Sequence, residues 1–216
     1  MNKIILASGS PRRKELLSQI GIEYDVVVSN IEEYTDETEP DKIVEALSRQ
    51  KALATAEGCD NAQKEPATAE GCDNAQKALA TAEDCDDTRI ILGADTVVSV
   101  DGIILGKPSS KEDAYRMLKL ISGRNHEVYT GVTLVKKSGE DRKIITFSEK
   151  TLVYVKEMTD EEIWNYIESG EPMDKAGAYG IQGRFAAFVE GIDGDYNNIV
   201  GLPVSRVYDM LKRLND

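Results

Sequence analysis

Short apolar runs alternate with stretches of helical periodicity along most of this chain, and that alternation restricts the fold to helices layered on a sheet. Residues 3–7 read as a strand and 10–20 as a helix closed by Gly21. Residues 24–29 read as a second strand, and 41 to about 57 as a helix with Ile43, Val44 and Leu47 on one face. Ile90-Ile91-Leu92 reads as a buried strand, and 97–105 as a hairpin turned at Asp101-Gly102, a pair suited to the type I′ turn. A helix is expected over 110–121, opened by Ser110-x-x-Asp113. Residues 128–136 and 144–155 read as a long antiparallel pair about Ser138-Gly139. Thr159-x-x-Glu162 opens a helix that Gly170 ends. Residues 171–203 are loop-rich with a strand near 185–189, and 203–214 form the last helix. The expected class is α/β, or α+β, with a mixed sheet flanked by helices.

The first helix begins unusually. Ser8-Gly9-Ser10-Pro11-Arg12-Arg13 puts a favoured N-cap, Ser10, before a favoured first residue, Pro11. Arg12, Arg13 and Lys14 then fill the first turn. Cations oppose the positive end of a helix dipole, so three of them there make sense when an anion is bound by the free N–H groups and the guanidinium forks. No G-K-[ST] follows the glycine, so this is not a Walker A loop. A nucleotide's phosphates are the expected anion.

Three other segments carry candidate chemistry. Asp95, in Gly93-Ala94-Asp95-Thr96-Val97-Val98, is expected directly after a buried strand. There it could hold a metal or activate water, or simply cap a turn. Gly106-Lys107-Pro108 would hold Lys107 at a loop. Residues 173–183, Gly- and Ala-rich, would pack tightly over something, with Gln182 able to read a base edge through paired hydrogen bonds. Glu32-Glu33 reads either as a solvated acidic loop or as a source of a metal ligand, His126 as ordering a loop, and Trp164 as packing.

A thirteen-residue unit occurs three times, nearly letter for letter, between 51 and 87. At about 100° per residue, thirteen residues do not return to the same helix face, so the copies cannot build one apolar stripe. The expected reading is one domain over 1–216, with a tandem duplication at about 51–87 that lengthened a surface helix or loop. The unit also supplies the cysteines, Cys59, Cys72 and Cys85. They are odd in number and lack any C-x-x-C pair, so neither a disulfide framework nor a zinc site is indicated, and a reducing cytoplasm is the simplest setting. A formal net charge of -13 argues against nucleic acid or anionic membrane as partner, though a few local cations suffice for a small phosphorylated ligand. No apolar run is long enough to span a membrane.

Taken in order, these segments resemble the Maf family of nucleoside triphosphate pyrophosphatases. The resemblance rests on Ala7-Ser-Gly-Ser-Pro-Arg-Arg-Lys-Glu-Leu-Leu17, Gly93-Ala-Asp-Thr-Val-Val98, Gly106-Lys-Pro108, Leu120-Ile-Ser-Gly-Arg124-x-His126, Glu168 to Gly183, and Gly194-Asp-Tyr196 with Gly201-Leu-Pro203. The 174–183 loop is similar to the branch acting on dTTP and UTP. The resemblance implies an elongated mixed sheet with two lobes and a central cleft, as in inosine triphosphate pyrophosphatases, and allows a homodimer. It implies hydrolysis between the α and β phosphates, with Asp95 as general base and Arg12, Arg13, Lys51 and Lys107 on the phosphates. Ser8 joins the phosphate site; Arg12, Thr96 and Gln182 set substrate choice; Glu33 and Asp95 hold Mg²⁺ or Mn²⁺. The family's functional lysine precedes the Gly-Ala-Asp strand. The repeat makes Lys51 and Lys77 competitors for that role, Lys51 being taken. The alternative is a non-catalytic regulator of cell division that binds nucleotide or a protein partner through the repeat.

Overall fold

The computed structural model describes residues 3–28, 31–64, 88–139 and 141–215. Lys77, Cys72, Cys85 and nearly all of the second and third repeat copies lie outside them. Strand β1 (Ile4–Leu6) leads into helix α1 (Pro11–Gln19), β2 (Tyr24–Val26) and the long helix α2 (Pro40–Lys64). The hairpin β3 (Thr88–Val100) and β4 (Ile103–Leu105) precedes α3 (Lys111–Ile121). The long pair β5 (Asn125–Ser138) and β6 (Asp141–Val155) precedes α4 (Asp160–Glu168). Three 3₁₀ turns, spread over 171–188, lead to β7 (Val189–Asp193), α5 (Tyr196–Val200) and α6 (Val204–Asn215).

Among the described residues the sheet has seven strands in the order β2-β1-β3-β5-β6-β7, with β4 added to β3. The two crossovers, through α1 and α2, make β1 parallel to β2 and to β3; every other pairing is antiparallel. The expected mixed sheet flanked by helices is therefore observed. Two local expectations are corrected. Asp95 does not follow a strand: β3 continues through it, because β5 pairs with it from Thr88 to Ser99, with Gly131 opposite Asp95. The strand expected near 185–189 begins where that window ends, since Arg184–Phe188 is a 3₁₀ turn.

Helix ends follow the sequence signals. Thr159 and Glu162 form a reciprocal capping box at α4, and Gly170 takes φ 74° beyond its end. Ser110 accepts from the Asp113 N–H at α3. The β3–β4 turn has positive φ at both Asp101 and Gly102, as a type I′ turn requires.

The two faces of the sheet are covered differently. One carries the main core, where Leu92, Val98, Val132 and Leu134 meet Leu17 of α1, Leu118 of α3, Ile167 of α4 and Leu211 of α6. The other is covered by α2 at very short range. A Cβ on Gly93 would lie 2.4 Å from the Ser48 carbonyl oxygen, and one on Gly131 2.2 Å from that of Val44. Only glycine lets the helix backbone settle this close to the strands. The first repeat copy lies within α2, and its Ala52 and Ala56 pack on Ile91 and Val135. That copy is thus part of the packed fold, while the surface extension expected of the duplication falls on copies outside the described residues. Its alanines are small enough for the close contact that the glycines open.

β1 pairs with β3 only at Ile91 and Leu92, and β4 only from Val98 to Val100. Between these points the β3 edge at 93–97 has no strand beside it among the described residues. A gap where one neighbour has ended and another has not begun is the kind of sheet edge at which α/β folds accept ligands.

Candidate active site

A cleft of about 730 Å³ opens over this gap. Its lining joins Ser8 to Arg13, Glu33, Lys51, Asp95, Thr96, Lys107 and residues of the 171–183 segment, Gln182 among them. Ser8, Arg12, Arg13, Glu33, Lys51, Asp95, Thr96, Lys107 and Gln182 all line it, although Lys51 and Gln182 are far apart in the chain, whereas Glu32, His126 and Trp164 do not. Arg12, Arg13, Lys51, Lys107 and Lys175 bring five cations to the cavity, beside the carboxylates of Glu15, Glu33, Asp95, Glu171 and Asp174.

One charged group is centred on Lys51. Its ammonium forms an ion pair with Asp95 and a second, 2.9 Å long, with Glu33 Oε2. Lys51 and Asp95 are both well shielded, with side chains 16% and 15% exposed. α2 aims Lys51 at β3 because Ala52, the next residue, is seated against Gly93. Asp95 Oδ1 and Glu33 Oε2 take these bonds, which leaves each carboxylate its second oxygen. Two carboxylates around one cation site suit a hard oxygen-seeking ion such as Mg²⁺ or Mn²⁺. Among the described residues no cluster of three or more His, Cys, Asp or Glu suits a metal ion, so further ligands would have to come from substrate or water.

A second network holds the loop before α1. Arg13 donates from Nε to the Gly201 carbonyl at 2.9 Å, and from its two terminal nitrogens to Ser8 Oγ at 3.0 Å and Thr96 Oγ1 at 3.1 Å. Burial lowers the Arg13 pKa from its usual value, while the nearby Asp95 carboxylate opposes the shift. Thr130 donates to the Asn198 carbonyl at 2.9 Å, so Thr96 donates to Thr130, 2.9 Å away. Arg13 thus ties Ser8, β3 and the loop after α5 together and retains two N–H donors. Ser8 Oγ accepts from Arg13 and from the Ser10 N–H, 3.3 Å away, which leaves its own proton for an anion. The Ser10 side chain makes no capping bond, so the first N–H groups of α1 remain for a ligand.

The opposite wall is made of 3₁₀ turns. Arg12 reaches across to Asp174 at 3.3 Å, and Lys175 donates to Asp174 Oδ1 and the Glu171 carbonyl, each at 2.6 Å. Gly177 donates to the Gly106 carbonyl at 3.0 Å, which joins this wall to the loop carrying Lys107. Lys107 and Gln182 are exposed at the rim. His126 is buried on β5, with its Nε2 2.7 Å from the Tyr179 hydroxyl, so it does order a loop. Burial lowers its pKa to about 4. Trp164 stacks on Tyr115 with centroids 5.1 Å apart, a packing role as expected. Sequence reasoning named no role for Glu171, Asp174 or Lys175. The one available signal was three charged residues inside an otherwise Gly- and Ala-rich loop.

The chain matches the family described as Maf-like protein over residues 3–214. It is 50% identical over 216 residues to a dTTP/UTP pyrophosphatase of Agathobacter rectalis, covering 99% of this chain and 98% of the relative. A protein of the same name from Lachnoclostridium phytofermentans is 49% identical over 215 residues, covering 99% of this chain and 95% of that one. Another, from Bacillus anthracis, is 45% identical over 216 residues, covering 100% and 97%. With a family match spanning nearly all of its length and such identities across whole chains, this chain belongs to the Maf-like protein family.

Proposed function

We propose that the protein hydrolyses a pyrimidine nucleoside triphosphate, dTTP or UTP, to the monophosphate and pyrophosphate. The observation that carries this reading is the Lys51 ammonium shared by Asp95 and Glu33 in a cleft that also gathers Arg12, Arg13 and Lys107. The names of the relatives supply the substrate class.

In this reading the triphosphate lies along the gap in the sheet. The free N–H groups of α1, the Ser8 hydroxyl and the remaining Arg13 donors bind phosphate oxygens. Arg12 exchanges its Asp174 partner for substrate. Asp95 Oδ2 accepts the proton of the water that attacks the α-phosphorus, and the bond to the bridging α–β oxygen breaks. Lys51 and Lys107 stabilise negative charge as it moves onto the departing pyrophosphate. Glu33 and Asp95 would hold a Mg²⁺ or Mn²⁺ ion, which supplies further neutralisation of phosphate charge when bound. Thr96, Arg12 and Gln182 set substrate choice.

We read residues 1–216 as one domain, with a tandem repeat at about 51–87 whose first copy lies in α2. We take Lys51, and not Lys77, as the functional lysine. No described helix is long and apolar enough to cross a membrane. The same reading assigns the protein to the cytoplasm, with free nucleotide and not nucleic acid as its partner, and allows a homodimer. The test is pyrophosphate release from a panel of nucleoside triphosphates with Mg²⁺. Turnover of dTTP and UTP ahead of CTP and the purine nucleotides is expected. A folded protein that turns over neither overturns the reading.

A further inference from the structure

Gln182 sits at the rim on an irregular segment, yet to select a base its amide has to be held in place. No regular ladder holds it. Ile181 and Phe185 bury their side chains in the core on either side, and a single carboxylate, Glu171, is bonded to both ends of the segment. On the C-terminal side, the Arg184 N–H donates to Glu171 Oε2 at 3.1 Å. On the N-terminal side the link runs through a tyrosine: the Gly180 N–H donates to the Tyr166 hydroxyl at 3.2 Å, and that hydroxyl donates to Glu171 Oε1 at 3.0 Å. Gln182 lies midway between the two anchored amides. The fit is close. A Cβ on Gly183 would lie 1.9 Å from Glu171 Oε1, and one on Gly180 2.7 Å from Lys175 Cε. Lys175 in turn donates to the Glu171 backbone carbonyl, so the residue is held by its main chain as well. Burial raises the Tyr166 pKa, so its hydroxyl keeps the proton this link requires.

We propose that Glu171 is a positioning residue that fixes Gln182 by binding both flanks of the 180–184 segment and thereby sets the choice of nucleotide base. This rests on the reading of the cleft as a pyrimidine nucleotide site. It separates the wall's tasks: Gln182 meets the base, and Glu171 acts only through it. A carboxylate suits the task because it accepts at two oxygens at once, and charge-assisted acceptance from N–H and O–H is stronger than a neutral bond.

The test uses the full-length protein and Glu171→Ala, Glu171→Gln, Tyr166→Phe, Gln182→Ala and the Glu171→Ala/Gln182→Ala double variant. Wild-type turnover is measured first and decides the proposed function by itself. Equilibrium binding of dTTP, UTP and CTP without metal, which needs no turnover, then decides the role of Glu171. Glu171→Ala is expected to weaken dTTP binding about tenfold and to narrow its preference over CTP to that of Gln182→Ala, with KM rising far more than kcat falls. Glu171→Gln, which keeps one acceptor oxygen and the shape, restores most of the preference. The double variant is no worse than Gln182→Ala, because residues acting through one contact are non-additive. Should Glu171→Ala fail to fold, Glu171→Gln and Tyr166→Phe carry the test through a partial loss of preference. The proposal is overturned by an additive double variant, by loss of kcat with base preference intact, or by wild-type protein that binds dTTP and CTP equally.

Discussion

The two walls of the cleft are built by different means. The wall carrying Asp95 belongs to β3, which pairs with β5 over twelve positions and is pressed from one side by α2. The wall carrying Gln182 is an irregular segment between 3₁₀ turns, with positive φ at Gly177 and Ala178, held in part by side chains such as Glu171. The first geometry is fixed by a cooperative ladder and by backbone contact. The second rests on the buried side chains of Ala178, Tyr179, Ile181 and Phe185 and on a few hydrogen bonds that a single substitution removes. Charge placed for bond breaking needs a rigid mount, because small displacements cost much of the rate. A wall that admits a base and releases it is better made of separable contacts. Substitutions on the sheet side should therefore damage rate and stability, and those on the turn side affinity and preference.

The largest effect is expected at Asp95. Asp95→Asn keeps the size and removes the proton acceptor, and should lower kcat about 100- to 10,000-fold while thermal stability stays near that of the wild type. Retained turnover would remove Asp95 as base and leave the two walls without a division of labour. Next comes Gly131→Ala. The new Cβ, 2.2 Å from the Val44 carbonyl, forces α2 off the sheet and should cost about 3 kcal/mol or more in urea denaturation. Because α2 carries Lys51, remaining activity should fall with it. An unchanged denaturation midpoint would show that this wall yields more easily than its ladder implies.

Much of the rigid wall was legible in the sequence, because its signals are local. The type I′ pair Asp101-Gly102, the caps at Ser110 and Thr159, and the apolar periodicity of α3 all act within a few residues. The basic first turn of α1 betrayed the anion site for the same reason: it violates the dipole preference in place. Less legible was anything decided by approach from afar. Nothing near Asp95 shows that β5 extends the strand through it, and nothing in the repeat shows that its first copy lies over Gly93. Asp174 and Glu171 were missed because their partners, Arg12, Tyr166 and Arg184, come together only through the irregular turns. Recognition of the whole motif set supplied what spacing could not, namely that Lys51, Lys107 and Gln182 share one cavity.

The walls meet through His126 and Tyr179, one on β5 and the other in the turns. This contact should sharpen the comparison through its pH dependence. The His126 pKa falls from 6.5 in the unfolded chain to about 4 in the folded one, because burial disfavours the charged ring. Between those values the unfolded state binds more protons, so stability rises with pH and is lost as pH falls from 6.5 towards 4. Between pH 7 and pH 5 the loss should be about 2 kcal/mol from this group. In urea titrations His126→Phe should flatten that slope, even if its stability at pH 7 is lower because the Tyr179 hydroxyl has lost its partner. A slope unaltered by the substitution would assign the pH dependence to carboxylates elsewhere.

The smallest effect is expected where the turn wall touches the sheet wall through solvent. The Arg12–Asp174 pair is 3.3 Å long with Asp174 65% exposed, a geometry worth under about 1 kcal/mol. Its importance lies in competition, since substrate must take Arg12 from Asp174. Asp174→Asn removes the competing charge, although it also weakens the bond from Lys175. At low ionic strength KM for dTTP should fall two- to fivefold, about the factor expected for release from a weak ion pair. With kcat unchanged, the gain should disappear as salt screens the charges. A rise in KM would give the opposite lesson: Asp174 would then serve by holding Lys175 and the turn in shape, and the separable wall would depend on its charges for order as well as for release.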